Sequence, residues 1–220
     1  MAKIVIFGNL DSASLAHFYL KQDSHHEPVA FALSEDRIKE STFEGLPVVP
    51  FETLEKEFSP REFEFFAPLS PRRMNRLREK IFLEAKAKGF RLISYVSSKA
   101  TVFPRLKIGE NCFILENNTI QPFVTIGDNV ILWSGNHIGH HSTIASHVYF
   151  SSHVVLSGHC TVDSYCFFGV NATIRDALHI AEGSLIGMGA VILKDTEPHG
   201  VYLGNPARPG DKRSDELENF

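Results

Sequence analysis

Six histidines crowd into one short stretch of this chain: His137, His140, His141, His147, His153 and His159. Imidazole ordinarily titrates near neutral pH, which suits it to proton transfer, and it is also a common metal ligand. Spacing separates the six. His141, His147, His153 and His159 recur at intervals of six, in register with Asn111, Asn129, Asn171 and Gly189. These residue types tolerate a left-handed backbone, so this series reads as turn residues. His137 reads as an outward residue of a short strand. His140 stands apart, because its register elsewhere holds Glu110, Asp128, Ser134 and Ser146. It can present an imidazole from a corner, with a pKa suited to proton transfer at neutral pH.

The element that must position these histidines is a ladder of apolar residues six apart. From Val102 through Ile108, Ile114, Ile120 and onward to Ile186 and Ile192, every sixth residue is apolar, with no insertion. A helix needs apolar residues three and four apart, and a plain strand needs every second one. A period of six fits a short strand, a turn and a repeat. The position two before each rung is mostly small or apolar, as at Cys112, Val130, Cys160, Cys166 and Ala190. Residues two apart on a strand face one side, so both sets point into one core. This is the hexapeptide repeat of a parallel β-helix, with three hexads per triangular coil and five full coils expected.

Residues 1–97 follow a different rhythm. Strands at Lys3–Phe7, Pro28–Leu33, Val48–Val49, Phe63–Ala67 and Leu92–Val96 alternate with helices at Ser12–Lys21, Phe51–Phe58 and Pro71–Lys88. That alternation predicts a small parallel, Rossmann-like α/β sheet. The expected boundary puts this α/β domain, a candidate nucleotide binder, at 1–97 and the β-helix with its polar tail at 98–220. Open parallel sheets bind ligands at the carboxyl ends of their strands. The candidates there are Gly8, Asn9, Leu10, Ser34, Glu35, Ser70, Arg72 and Asn75, with Arg72 and a helix N-terminus facing phosphate. A dinucleotide is disfavoured, since Gly8-Asn9-Leu10-Asp11-Ser12-Ala13 carries one of the three glycines of G-x-G-x-x-G.

Composition excludes several classes. A formal charge of −4 over 220 residues does not suit a broad nucleic-acid interface. The three cysteines form no CxxC pair and fit a reducing compartment. No apolar run approaches membrane-spanning length, so a cytoplasmic protein with no membrane or nucleic-acid partner is expected.

A hexapeptide helix behind a small α/β domain resembles the left-handed β-helix sugar acyltransferases. It is most similar to the sialic acid O-acetyltransferase-like family, which includes the bacillosamine and perosamine pathway N-acetyltransferases. The resemblance is carried by Ile138-Gly139-His140-His141-Ser142-Thr143-Ile144, by Gly158, by Gly183 to Ala190, and by Gly204-Asn205-Pro206-Ala207-Arg208. It implies acetyl-CoA as co-substrate, a nucleotide-linked amino sugar as acceptor, and a product destined for a surface glycan. His140 would be the catalytic base and the Gly158 N–H would hold the thioester carbonyl. Gly158, Gly169, Gly187, Ala190, Asn205 and Pro206 would line the acetyl-CoA groove between subunits of a homotrimer. The alternatives are sugar O-acetylation of the sialic-acid type and a non-catalytic scaffold. One departure is plain: family members often carry an acidic residue beside the histidine, and here the neighbours are Gly139 and His141. No metal is expected, because the zinc-binding γ-class carbonic anhydrases use ligands five residues apart, a spacing these histidines lack. A trimer is also expected from outward Phe113, Ile131, Tyr149, Val155 and Phe167, which a solvated face would not need.

Overall fold

The computed structural model describes residues 2–216. Its N-terminal unit is a five-stranded sheet of order β3-β4-β2-β1-β5, comprising β1 (Lys3–Phe7), β2 (Glu27–Leu33), β3 (Thr42–Phe43), β4 (Leu46–Pro50) and β5 (Phe63–Phe66). All pairs are parallel except the β3-β4 hairpin at the edge. Helices α1 (Asp11–Gln22), α2 (Leu54–Glu57) and α3 (Arg76–Ala87) connect them. α3 begins five residues later than the expected Pro71, because Arg73, Met74 and Asn75 all take a left-handed backbone (φ 53°, 47° and 66°) and break the first turn.

The C-terminal unit is a parallel β-helix with three faces. Thr119 pairs with His137 and Ile120 with Ile138, so each coil lies eighteen residues above the last. The first face runs from Tyr95–Val96 to Leu185–Ile186, the second from Thr101–Val102 to Val191–Ile192, and the third from Lys107–Ile108 to His179–Ile180. Five full coils form, and the hairpin Val201–Gly204 with Ala207–Pro209 closes the last one. The sixth residue of every hexad from Arg105 to Gly189 has positive φ, including His141, His147, His153 and His159 at 58–64°. The turn reading of that series is therefore what the backbone requires. From Ile114 upward the rungs are buried, as are the thiols of Cys112, Cys160 and Cys166; burial pushes the Cys166 thiol up to about 12. Val102 remains 41% exposed because no coil lies beneath it. The chain leaves the α/β sheet at the Phe65–Leu92 bridge, and Tyr95–Val96 already pairs with Phe113–Ile114, slightly before the expected boundary at 97. Among the described residues no helix is long and apolar enough to cross a membrane.

The two units share one interface, and it corrects an expectation. Phe113, Ile131 and Tyr149 are at most 9% exposed within a single chain, packed with Ile4, Ile6, Leu20, Phe31 and Phe66. The outward apolar residues of the first face therefore cover the chain's own α/β unit; only Val155, on the second face, stays exposed. Asp23 pins the end of α1 to the first coil, accepting from Ser98 N (2.9 Å), Tyr95 Oη (2.7 Å) and Ser97 Oγ (3.1 Å). These bonds, led by Ser98, lower its pKa to about 2. On the other side α3 meets a polar column at the edge between the third and first faces. Asn111 donates to Asn129 Oδ1 (2.8 Å), Asn129 Nδ2 contacts His147 Nδ1 (2.9 Å), and His147 stacks on Tyr165. His147 is thus part of a domain joint, and burial lowers its pKa.

Candidate active site

His140 lies at the edge between the second and third faces, after the strand His137–Ile138 and before Thr143–Ile144. Its own α/β unit covers the first face, so this edge is on the opposite side of the prism. The His140 N–H donates to Gln121 Oε1 (2.9 Å), which fixes the backbone of the corner. Its Nδ1 lies 3.1 Å from His141 Nδ1. With the His140 Nδ1–H donating to His141, Nε2 carries a free lone pair, the arrangement a base requires. His141 therefore stands where the missing acidic partner was sought.

Gly158 sits one coil on, directly against the His140 ring. A Cβ built there would come within 2.8 Å of His140 Cε1 and 3.0 Å of Nε2. The Gly158 N–H also differs from that of His140. Gln121, nineteen residues before His140, accepts the His140 N–H, whereas the residue nineteen before Gly158 is Gly139, which has no side chain. Among the described residues nothing accepts a hydrogen bond from the Gly158 N–H. An unpartnered N–H beside a basic ring nitrogen is what an oxyanion developing next to a proton acceptor needs.

The two glycines separate cleanly by substitution. Gly158→Ala pushes only against the tip of an exposed imidazole, so melting should hold within about 2 °C while turnover falls roughly tenfold or more. Gly139→Ala drives a methyl to 2.4 Å from Gly158 N and from the Ser157 carbonyl carbon, both backbone. That variant should lose stability as well, by about 1–3 kcal/mol in denaturant melts.

The remaining expected groove residues lie elsewhere. Gly169 and Gly187 turn the edge between the first and second faces, where coils approach closely: a Cβ on Gly169 would meet Met188 N at 2.4 Å. Beside them Val170, Met188 (80% exposed) and Leu203 form an apolar ridge. Asn205 and Pro206 are exposed at the turn of the capping hairpin, and Ala190 points into the core, so its side chain cannot line a groove. Phe123, 75% exposed, projects beside His141 on the His140 edge.

In the α/β unit a pocket of about 810 Å³ opens at the carboxyl ends of the strands. Gly8, Asn9, Leu10, Ser34, Ser70 and Arg72 line it, so six of the eight expected contacts come together. Glu35 and Asn75 do not. Glu35 is exposed, its N–H bonded to Glu52 Oε2 (3.1 Å), while Asp36, Arg37 and Glu52 face the cavity. Asn75 is fully buried in the domain joint, accepting from Arg78 Nη1 (2.8 Å). It is the flank of α3, through Leu77, Lys80, Ile81 and Glu84, that walls the pocket.

Sequence reasoning missed His159. It stacks on His141 with centroids 4.9 Å apart, and its N–H donates to the His140 carbonyl (2.9 Å). The eighteen-residue coil period was the signal that joined them.

Repeat and architecture together define the class, a hexapeptide-repeat transferase fold built on a left-handed β-helix. Residues 106–140 match the family described as bacterial transferase hexapeptide (six repeats). Among solved structures, the chain is similar to the acetyltransferase domain of PglB from Neisseria gonorrhoeae FA1090 in complex with acetyl coenzyme A. That match has 25% identity and a TM-score of 0.82, covering 94% of this chain and 98% of the other. PerB from Caulobacter crescentus, in complex with CoA and GDP-perosamine, matches at 22% identity and TM-score 0.83 over 96% and 98%. WeeI from Acinetobacter baumannii AYE matches at 20% and 0.80 over 95% and 100%. No curated protein sequence matches the chain.

Proposed function

We propose that this chain is an acetyl-CoA-dependent N-acetyltransferase acting on a nucleotide-linked amino sugar, with its active site shared between copies of a trimer. One observation carries the reading: the unpartnered Gly158 N–H set against the His140 imidazole. The likeness to the PglB acetyltransferase domain supports the donor, and that to PerB the acceptor class. A neutral amine attacks the thioester carbonyl; His140 Nε2 takes the amine proton, and the Gly158 N–H stabilises the oxyanion. Collapse expels the coenzyme A thiolate, to which the imidazolium returns the proton. His141 keeps Nε2 of His140 free and accepts the Nδ1–H bond while the ring is charged.

Geometry supports the sharing. The pocket belongs to a unit docked on the first face, whereas His140 is on the opposite edge. A sugar held by one chain's pocket meets the His140 of another. The expected acetyl-CoA contacts likewise divide between the His140 edge (Gly158) and the edge bearing Gly169 and Gly187, so a groove using both is built from two chains. The exposed Phe123 on one edge and Met188 on the other give such a contact its apolar surface. Coenzyme A release should be followed with UDP-, GDP- and dTDP-linked amino sugars and with matched sugars bearing a hydroxyl for the amine. Turnover confined to the amines is the expected result. Turnover of the hydroxyl sugars, or of free amino sugars alone, would contradict it.

A further inference from the structure

We propose that His140, His141 and His159 form a site for a divalent transition-metal ion, and that an ion held there switches acetyl transfer off. The ligating nitrogens of the three imidazoles lie within 4.8 Å of one another, and the two Nδ1 atoms of His140 and His141 are 3.1 Å apart. Tetrahedral zinc with bonds of about 2.0–2.1 Å sets its nitrogens about 3.3–3.4 Å apart. The pair is thus already near ligand spacing. All three side chains are exposed, so the third closes by side-chain rotation without moving the coils. Among the described residues this is the one trio of His, Cys, Asp or Glu whose ligating atoms come so close. It arises because the coil repeat stacks His159 on His141, while His140 enters from the adjacent turn position.

The donor set selects the ion. Three imidazoles without a carboxylate suit zinc, nickel, cobalt or copper, and do not suit magnesium or calcium. Three ligands leave a fourth position for water. An ion on His140 Nδ1 takes the nitrogen that bore the ring's single proton; that proton passes by way of solvent to Nε2, so the neutral ring carries it there and none is released overall. A ring protonated at Nε2 cannot accept the proton of the amine. The inhibition rests on the role of His140 in transfer; the binding does not.

Chelator-treated full-length protein titrated with Zn²⁺ by calorimetry tests both parts. The wild type should bind one ion per chain with micromolar affinity. His159→Asn, which keeps a residue suited to the left-handed turn, should weaken binding at least tenfold. Mg²⁺ should give no heat of binding. Acetyl transfer should fall over the same Zn²⁺ range, recover on adding chelator, and require at least tenfold more Zn²⁺ in His159→Asn. No saturable Zn²⁺ binding, or binding unaltered by His159→Asn, overturns the site. Binding at the trio with transfer unaffected overturns the switch and, with it, the assignment of His140 as base.

Discussion

His140→Ala should leave assembly and melting temperature almost unchanged while turnover falls by roughly two to four powers of ten, the usual weight of a positioned general base. The asymmetry follows from exposure: the ring stands outside the core, and what fixes the corner is the backbone bond to Gln121, which alanine retains. The loss should persist as assay pH rises through the acceptor amine's own pKa, because the neutral amine still sheds a proton as it attacks; a loss that shrinks there would mean that the amine needs only to arrive deprotonated. His153→Asn is the matched control. His153 is exposed with φ 61°, and asparagine serves the same turn, so neither rate nor melting should move. Equal rates for wild type and His140→Ala near neutral pH would remove His140 from the chemistry. His137, half-buried on the second face, would be the next histidine to test.

Arg78→Ala should cost at least about 3 kcal/mol, from lost charge-assisted hydrogen bonds and the cavity left by the stem. Arg78 is completely buried between α3 and the β-helix. Its guanidinium donates to Asn75 Oδ1 (2.8 Å), to Asn129 Oδ1 (3.1 Å) and to the Asn129 carbonyl. No carboxylate pairs with it among the described residues, and desolvation lowers its pKa to about 10. Truncation strands two buried acceptors, Asn75 Oδ1 and the Asn129 carbonyl, at the joint that holds the α/β unit to the prism, while Asn129 Oδ1 keeps its bond from Asn111. The melting transition should drop by roughly 6–12 °C for a chain of this size. On the proposed division of sites, acceptor binding should weaken while acetyl-CoA binds nearly as before. A melting shift below about 2 °C would show that the joint does not depend on this residue.

The β-helix was legible because its code is local. Each hexad carries its own inward pair and its own left-handed turn, so one repeat read correctly gives the rest. His140 was legible by the same logic, as the histidine out of register with the turn series. What the repeat does not encode is what lies against its outer surface. Phe113, Ile131 and Tyr149 announce a covered face, and the sequence pattern is the same whether the cover is another subunit or, as here, the chain's own sheet. His147 looked interchangeable with asparagine for a related reason: its φ of 64° explains a turn residue, but its place against Phe82, Tyr165 and Asn129 depends on where α3 docks. Asn75 was read as opening a helix toward phosphate. Three consecutive left-handed residues without a glycine, Arg73 to Asn75, delay the helix and turn Asn75 into the joint, and nothing in their types foretells that. The trio of His140, His141 and His159 needed two facts held together, adjacency at 140 and 141 and the eighteen-residue coil at 159.

The central claim is that His140 of one chain acts on a sugar held by the pocket of another, and subunit mixing tests it most directly. His140→Ala supplies intact pockets without a base. Arg72→Ala combined with Lys80→Ala, both lining the pocket, supplies the base with weakened pockets. Each assembly alone should be nearly inactive at limiting acceptor. Unfolded together in equal amounts, refolded, and verified as mixed trimers by mass, they should recover about one quarter of wild-type turnover, since a random neighbour pair is competent one time in four. Mixed assemblies that stay as inactive as their parents would mean that base and pocket serve the same chain, and would contradict the account.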